Sequence, residues 1–345
     1  MKQPCTAQAL DVDRPPAGEG HALAPGVVWV RLPLPYALDH INVWLLADGD
    51  GWTLVDTGHG DEPTRAAWER LSRSLLQGRP VRRVVVTHHH PDHVGLAGWM
   101  GERWASELWC TRTEWLAARE GKIAPLAEVQ ALAAAFYLRA GVPPEAIPAL
   151  REWCRAYPAN VTPVPPSFRR LADGDDLAVD GSSWRVVVGR GHAPEHACLF
   201  SAEKGILVSG DQVLPHITPN VSVWPQEPEA EPLSEYLETI AALERLPDDV
   251  LVLPSHGLPF RGLRRRLGQL AEHHRQRLDA ALAACAEGPR TAWDVTGVLF
   301  ARDLDPHQSA FAVGESIAHL HHLVALGRLR RHRAPGKPDR WQLVR

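Results

Sequence analysis

The feature that most constrains the fold is an apolar, β-branched run that leads directly into a cluster of histidines. Residues 84–93 read VVVTHHHPDH. Such a run is typical of a buried strand, which Pro91 and the polar residues around it would end. The imidazoles are therefore expected on a loop at the carboxyl end of the strand, where open α/β architectures place their sites. For the cluster taken alone, a solvated histidine-rich turn or a fortuitous cluster is the less favoured alternative.

The same pattern, an apolar run that ends in a metal-type ligand, occurs at four other places. Asp56 follows WTLV, His192 follows VVVGRG, Asp211 follows ILVSG and His256 follows LVLPS. A single histidine after a strand is usually structural, but five strand ends with complementary residue types indicate a shared site. Imidazoles together with carboxylates suit zinc, iron or manganese.

These motifs resemble those of the metallo-β-lactamase superfamily. HHHPDH contains the HxHxDH signature, and LVDTG, GHAPEH, SGD and PSHG match the other motifs in order, over roughly residues 27–260. The resemblance implies an α/β fold, an αββα sandwich, to which the residue patterns described below add a helical insertion and a small C-terminal winged-helix domain. It also implies hydrolysis by a metal-bound hydroxide.

The resemblance implies a dinuclear ligand set of five histidines and two aspartates: His88, His90, Asp92, His93, His192, Asp211 and His256. The first two of these histidines and His192 would bind one metal. Asp92, His93 and His256 would bind the second, and Asp211 would bridge the two. The expected cofactors are two divalent ions, with zinc first and iron or manganese as alternatives. Asp92, Asp211 and Asp56 are the candidate catalytic carboxylates, with Asp56 supporting the ligands from behind.

The other histidines are expected to play lesser roles. His89 lies between two ligands and is predicted not to ligate, while His196 is predicted to fix a loop by hydrogen bonding. His59 also flanks a motif. A solvated or packing role is expected for six further histidines: His216, His273, His274, His319, His321 and His322.

The order of the patterns predicts four parts of the 345-residue chain. Residues 1–25 are a loose N-terminal arm, and residues 26–262 are the catalytic domain, with a helical insert over 113–157. Residues 263–288 are a connecting helix. Residues 289–345 read as two helices and two short strands, which resembles a winged helix.

Composition narrows the functional classes. The net charge of −4 gives no general attraction to nucleic acid or to an anionic membrane. The five cysteines are scattered and odd in number, which argues against a disulfide framework and a thiolate zinc cluster. The N-terminal segment has no apolar core and no long apolar stretch occurs, so a cytoplasmic protein without a membrane span is expected.

A small-molecule ester or thioester is the favoured substrate, as in glyoxalase II-like members. Class B β-lactamases generally lack the bridging aspartate, so Asp211 argues against a β-lactam. The insert could cover an apolar pocket above the metals, or it could simply bury the sheet; its aromatic residues include Trp115, Phe136, Tyr137 and Trp153. Three residues of the loop at 215–225 are candidate substrate contacts, although loop packing would also explain them: His216, Asn220 and Trp224.

The alternative function is a metal-dependent endoribonuclease, in which the winged helix binds the nucleic acid. Residues 290–345 carry nine Lys or Arg against five Asp or Glu. Four arginines would lie on the wing and could hold phosphates: Arg328, Arg330, Arg331 and Arg333. The rest of the chain is then about −8, whereas a nuclease needs a basic track to its metals. The tail could equally serve packing or homodimer formation.

A third functional class is a non-enzymatic regulator that senses a metal or a ligand. The complete set of seven candidate ligands disfavours it.

Overall fold

The computed structural model of the chain describes residues 8–344, apart from the side chain of Trp153. These residues form two compact units, and each unit is built from several segments of the chain. The first contains the described residues up to Ile123, Tyr157–Pro219 and Glu244–Arg266. The second contains Ala124–Ala156, Asn220–Leu243 and the described residues from Leu267 onward.

The first unit contains two seven-stranded mixed sheets. Its strands are, in chain order, β1 (Gln8–Ala9), β2 (Gly20–Ala24), β3 (Val27–Pro33), β4 (His40–Asp48), β5 (Gly51–Val55), β6 (Val81–Val85), β7 (Glu107–Cys110), β8 (Arg169–Arg170), β9 (Asp176–Val179), β10 (Ser182–Gly189), β11 (His196–Ser201), β12 (Ile206–Gly210), β13 (Leu251–Pro254) and β14 (Phe260–Arg261). One sheet has the order β2-β3-β4-β5-β6-β7-β8, and the other has the order β1-β14-β13-β12-β11-β10-β9.

The helices are, in chain order, α1 (Glu62–Leu71), α2 (Pro91–Val94), α3 (Ala97–Trp104), α4 (Arg112–Ile123), α5 (Leu126–Arg139), α6 (Ile147–Glu152), α7 (Ala156–Ala159), α8 (Pro232–Leu243), α9 (Leu263–Ala286), α10 (Ala292–Leu299) and α11 (Pro306–Ala325). A π-helical turn over Ser72–Leu76 follows α1. None of the helices within residues 8–344 is both long and apolar enough to cross a membrane.

The two sheets face each other across a shared apolar core. Trp29 and Trp44 of the first sheet stack at 6.1 Å between ring centroids and pack in one cluster with Trp184 and Leu253 of the second. A second cluster joins the outer face of the first sheet to α1, α3 and α4, with Trp68 fully buried in it. The α/β sandwich predicted from the sequence is confirmed.

Strand pairing places the motifs next to one another. The parallel neighbours β5 and β6 end beside each other, so Asp56 and His88 leave the same edge of the first sheet. The parallel neighbours β12 and β13 do the same for Asp211 and His256 in the second sheet. The carboxyl ends of parallel strands meet at one sheet edge, and this geometry gathers side chains that are distant in sequence.

The second unit contains α10, α11 and a two-stranded antiparallel sheet of β15 (Leu329–His332) and β16 (Arg340–Leu343). Thr291 and Asp294 form a reciprocal capping box at the start of α10. The middle of the predicted insert belongs to this unit, since the carbonyl of Ala140 accepts a hydrogen bond from the amide of Trp293 at 2.9 Å. The winged-helix description of residues 289–345 stays a prediction.

Some sequence expectations need correction. The predicted loose arm, residues 1–25, contains β1 and β2, which pair with β14 and β3. Each strand lies at the edge of its sheet. β1 is two residues long and pairs with a partner far along the chain, and β2 shows no alternation of buried and exposed residues that would mark it as a strand. Residues 1–7 lie outside the described chain, as does the side chain of Trp153. β4 and β5 form a hairpin, in which Asp48 pairs with Gly51 across the turn.

Candidate metal centre

Asp56 occupies a left-handed backbone conformation directly after β5, with φ at 65°. Such a conformation is uncommon for a residue other than glycine and marks functional sites. The turn aims the carboxylate at β6, where Oδ1 accepts from the Thr87 amide at 2.8 Å and Oδ2 lies 2.8 Å from His93 Nδ1. Asp56 is therefore bonded to the histidine motif from behind, as its predicted role requires.

The predicted ligands come together as three overlapping groups of donor atoms that could each hold a cation. Within each group the atoms lie within 4.8 Å of one another. The groups are His88, His90 and His192; His88, His93 and Asp211; and Asp92, His93 and His256. All seven predicted ligands are included, and none of the other histidines in the described chain joins them.

Asp211 reaches two of these groups with separate oxygens. Its Oδ2 lies 3.6 Å from His192 Nε2, while its Oδ1 lies 3.4 Å from His256 Nε2 and 3.6 Å from His93 Nε2. Donor atoms bound to one zinc ion in a tetrahedron at about 2.0–2.1 Å would lie about 3.3–3.4 Å apart. The spacing therefore fits atoms arranged around common cations.

Two of these atoms are buried without a hydrogen-bond partner. They are His93 Nε2 and Asp211 Oδ1. Buried polar atoms in proteins are almost always hydrogen-bonded, so an unsatisfied pair at one place requires an explanation. A shared cation satisfies both atoms, and the residues present therefore fit a metal centre.

Neighbouring groups fix which nitrogen of each histidine faces the centre. His93 Nδ1 donates to Asp56, and His256 Nδ1 donates to the His40 carbonyl at 2.8 Å. A carboxylate and a carbonyl can only accept, so in the neutral ring, the form that binds a metal, each Nδ1 carries the proton and each Nε2 has a lone pair. This is the arrangement that metal-ligating histidines require.

The charges divide the histidines into two kinds. Burial lowers the pKa of His88 and of His90 well below the usual value, with neighbouring imidazoles adding to the effect. For His93 and His256 burial acts in the same direction, but nearby carboxylates outweigh it; Asp211 is the strongest of these at His256 and raises that pKa to about 10. The two carboxylates thus concentrate negative charge where positive charge is to be bound.

The comparisons agree with this geometry. The model of the metallo-beta-lactamase superfamily matches residues 36–256, and a model of the metallo-beta-lactamase-like C-terminal domain matches residues 278–344. The chain belongs to the metallo-beta-lactamase superfamily. It is a metal-dependent hydrolase, as the sequence predicted.

Solved and curated relatives cover most of this superfamily member. It is 44% identical to a beta-lactamase domain protein from Burkholderia ambifaria, with a TM-score of 0.90 and 98% of each chain covered. It is 27% identical to the probable metallo-hydrolase YqjP of Bacillus subtilis, over 79% of this chain and 85% of the relative. It is 26% identical to an atrochrysone carboxyl ACP thioesterase of Aspergillus fumigatus, over 84% of this chain and 75% of the relative.

Sequence reasoning missed Glu114, which lies in the first turn of α4 and is 1% exposed. Its Oε2 accepts from both the backbone amide and Nδ1 of His89, at 2.9 and 2.6 Å. Its Oε1 accepts from the backbone amide of Glu195 at 2.6 Å. One buried carboxylate therefore connects the HHHPDH loop to the GHAPEH loop. A glutamate inside a helical pattern gave no signal of this contact, which depends on chain segments 81 residues apart.

The structure also places the histidines that were predicted not to ligate. His89 directs Nδ1 to Glu114, outside every donor group. His196 Nε2 accepts from the Asp211 amide at 3.1 Å, which is the loop-fixing role predicted for it. His216 is exposed in the loop after β12. His59 is buried and bonds to Tyr36 and Asp61, which the sequence did not indicate.

Other predicted contacts are engaged in packing. Trp224 packs edge to face on Phe311 of α11 at 5.4 Å, and Asn220 hydrogen-bonds to Glu315 of the same helix. Of the predicted covering aromatics, Trp115 stacks on Phe168 at 4.6 Å within the first unit. Phe136 and Tyr137 are buried in the second unit, and the side chain of the fourth, Trp153, lies outside the described residues.

Proposed function

We propose that this chain hydrolyses a small-molecule ester or thioester with the aid of two divalent metal ions, most simply zinc. His88, His90 and His192 would hold the first ion, and Asp92, His93 and His256 would hold the second. Asp211 would bridge them. The observation that carries the proposal is that Asp211 directs one oxygen towards His192 and the other towards His93 and His256.

When bound, two such ions activate a water molecule and polarise the attacked carbonyl oxygen. The residues of the chain supply the rest. Asp56 and the His40 carbonyl hold two imidazoles in the ligating tautomer, and His196 fixes the backbone of Asp211. Because these supports are buried and hydrogen-bonded, the site is organised before a substrate arrives.

A thioester is the narrower form of the proposal. It is supported by the Aspergillus fumigatus relative, which is named as a carboxyl ACP thioesterase and matches 84% of this chain. Asp211 also argues against a β-lactam substrate, through the same family pattern that suggested its bridging role. The acyl group itself is left open.

The endoribonuclease alternative has weaker support. Of the four wing arginines, Arg331 binds Glu229 and Asp339 at 3.0 and 2.5 Å, and Arg333 pairs with Glu229. These acidic partners neutralise charge that phosphate binding would need. Arg328, directly before β15, and Arg330 on β15 are both exposed, and these are the arginines to test for phosphate binding.

The test is a turnover assay on one preparation whose metal content has been measured. One set of reactions contains acyl-CoA and acylglutathione thioesters with simple oxygen esters, and the other contains single-stranded RNA. Asp211→Asn is the blank. Thioester or ester turnover that the blank lacks would support the proposal. RNA cleavage that the blank lacks, and that weakens steeply with salt, would replace it with the nuclease function.

A further inference from the structure

Tyr36, His59 and Asp61 form a continuous hydrogen-bonded chain that the proposed function does not use. The Tyr36 hydroxyl lies 3.0 Å from His59 Nε2, and the two rings meet edge to face at 5.5 Å between centroids. On its other side, His59 Nδ1 lies 2.8 Å from Asp61 Oδ2. His59 is 1% exposed, whereas Tyr36 is only partly buried. Asp61, at the other end, is likewise only partly buried, so what distinguishes Tyr36 is its hydroxyl proton and not its exposure.

The direction of the protons follows from the chemistry of the groups. An ionised carboxylate only accepts, so His59 Nδ1 must carry a proton and donate it to Asp61. In the neutral imidazole Nε2 is then an acceptor, and the Tyr36 hydroxyl donates to it. This is the order of donor and acceptor found in hydroxyl–histidine–aspartate triads, where the imidazole takes up the hydroxyl proton.

Both ends of this chain lie at the edge of the first sheet that carries the predicted metal ligands. Tyr36 is in the loop at 34–39, which leads into His40, and the carbonyl of His40 binds His256. His59 is three residues beyond Asp56 in the loop that follows β5. Burial, with the Asp92 and Asp61 carboxylates adding to it, raises the pKa of Tyr36 to about 12, so the phenol keeps its proton at neutral pH.

We propose that Tyr36, His59 and Asp61 form a proton shuttle for ester or thioester hydrolysis, with Tyr36 as the catalytic residue that meets the leaving group. The inference rests on the proposed function. Tyr36 accepts a proton from the attacking water as its own proton passes to His59 Nε2, and Asp61 stabilises the imidazolium. When the bond between the acyl carbon and the leaving atom breaks, that atom keeps the bonding electrons. The proton then returns from His59 through Tyr36 to the leaving atom, which yields an acid and an alcohol or thiol.

A purely structural role would explain only part of this arrangement. Asp61 Oδ1 caps α1 by accepting from the Thr64 amide at 3.0 Å, and this contact needs neither His59 nor Tyr36. The second oxygen of Asp61 is the one committed to His59. The cap and the shuttle therefore use different oxygens and can be separated by mutation.

The decisive experiment compares wild type and Tyr36→Phe on esters that share one acyl group but differ in the pKa of the leaving alcohol. An activated nitrophenyl ester needs no proton at its leaving oxygen, whereas an alkyl ester does. We expect Tyr36→Phe to lower kcat about 100-fold on the alkyl ester and about ten-fold on the nitrophenyl ester, because both esters lose the base that takes the proton of the attacking water and only the alkyl ester also loses the acid at its leaving oxygen. Equal losses on both esters, with unchanged metal content, would overturn the shuttle and leave the proposed function standing.

Asp61→Asn is the matched variant. Asparagine is as good a helix cap as aspartate, so α1 should remain intact. The side-chain amide nitrogen of the asparagine would donate to His59 Nδ1, so the neutral His59 ring would carry its proton on Nε2. We expect the same dependence on the leaving group as in Tyr36→Phe, and a double variant no slower than the slower single one, because the residues act as one unit.

A second measurement does not need a substrate. Nitrogen-15 NMR of histidine-labelled protein, with the His59 signals assigned from a His59→Gln sample, reports which ring nitrogen holds the proton. The expected result is a bare Nε2 in the wild type and a protonated Nε2 in Asp61→Asn. A protonated Nε2 in the neutral wild-type ring would overturn the shuttle. Wild type inactive on every ester and every thioester would overturn the proposed function and the shuttle with it.

Discussion

The two units each bury a cluster of histidines, but the clusters differ in their partners. In the first unit, His93 and His256 lie within 3.6 Å of Asp92 and Asp211, and the pKa of His256 is raised to about 10. In the second unit, His274 Nδ1 lies 3.2 Å from His319 Nε2. Burial lowers the pKa of His274 to about 2 and that of His319 to about 3.

The difference shows that buried imidazoles do not by themselves make a metal site. His319 Nδ1 lies 2.7 Å from the carbonyl of Glu315 one turn earlier, which is a packing contact within α11. The cluster in the first unit adds ionised carboxylates and two unsatisfied atoms that converge. Carboxylates offset the repulsion between a dication and its surroundings, and neutral imidazoles alone cannot do so.

The largest expected effect comes from removing the bridging charge. Asp211→Asn should lower the metal content from two ions towards one and reduce turnover by more than about 100-fold. Loss of a residue that only supports a ligand costs at most about 100-fold, and Asp211 is itself a proposed ligand. Elemental analysis and steady-state kinetics on the same sample check this. His319→Gln, in the other cluster, should keep both metals. An Asp211→Asn protein with two metals and full turnover would contradict the bridging assignment.

A smaller effect is expected from Glu114, which connects the two loops that carry the proposed ligands of the first metal. Glu114→Gln replaces an accepting oxygen with a donating amide, so at least one of its bonds to His89 or Glu195 must break. Metal affinity at this position should fall about 10–100-fold, the usual range for such supports. Titration with cobalt(II), followed by its visible absorption, measures the loss. Glu120→Gln on the exposed side of the same helix is the control, and equal affinity in the two variants would show that the Glu114 contacts are dispensable.

The smallest expected effect is a loss of stability at low pH that comes from the histidine cluster of the second unit. His274 and His319 have folded pKa values below the ordinary 6.5, so the unfolded chain binds more protons and stability is lost as pH falls below about 6.5. Below that pH, each of the two histidines lowers the free energy of unfolding by roughly 1.4 kcal/mol per pH unit. Burial raises the pKa of Glu315 from 4.5 to about 7, so Glu315 offsets one of them down to about pH 4.5. As the pH falls from about 6.5 to about 4.5, the free energy of unfolding should therefore decrease at the rate expected for one histidine. Below about pH 4.5 it should decrease at the rate expected for two.

Thiol labelling can read this loss separately in each unit. Cys285 in the second unit and Cys110 in the first are both buried and free. The urea midpoint for alkylation of Cys285 should fall between pH 7 and 5, and it should fall more steeply in Glu315→Gln, which lacks the offset. The midpoint for Cys110 in metal-loaded protein serves as the reference. A midpoint for Cys285 that does not change over this range would rule out buried neutral histidines as the cause.

The sequence predicted the sandwich and the gathering of the seven candidate ligands, because strand-end motifs are local patterns with a strong family resemblance. It did not predict β1, β8 or β14, which are two residues long and depend on partners elsewhere in the chain. Glu114 and Tyr36 were missed for a related reason. Each acts through a hydrogen bond to a residue in another loop, and neither has a periodicity or spacing that marks it.

The division of each unit among separated segments has a consequence for synthesis on the ribosome. The first unit needs Glu244–Arg266, which contains His256, before its second sheet is complete. The second unit begins at Ala124 but includes α11, which starts at Pro306. Helices α5 and α6 must therefore wait for most of the chain while their apolar faces, including Phe136 and Leu150, lack their final partners. Nascent chains stalled between these points should be the species that bind chaperones most strongly, since exposed apolar surface is what chaperones recognise.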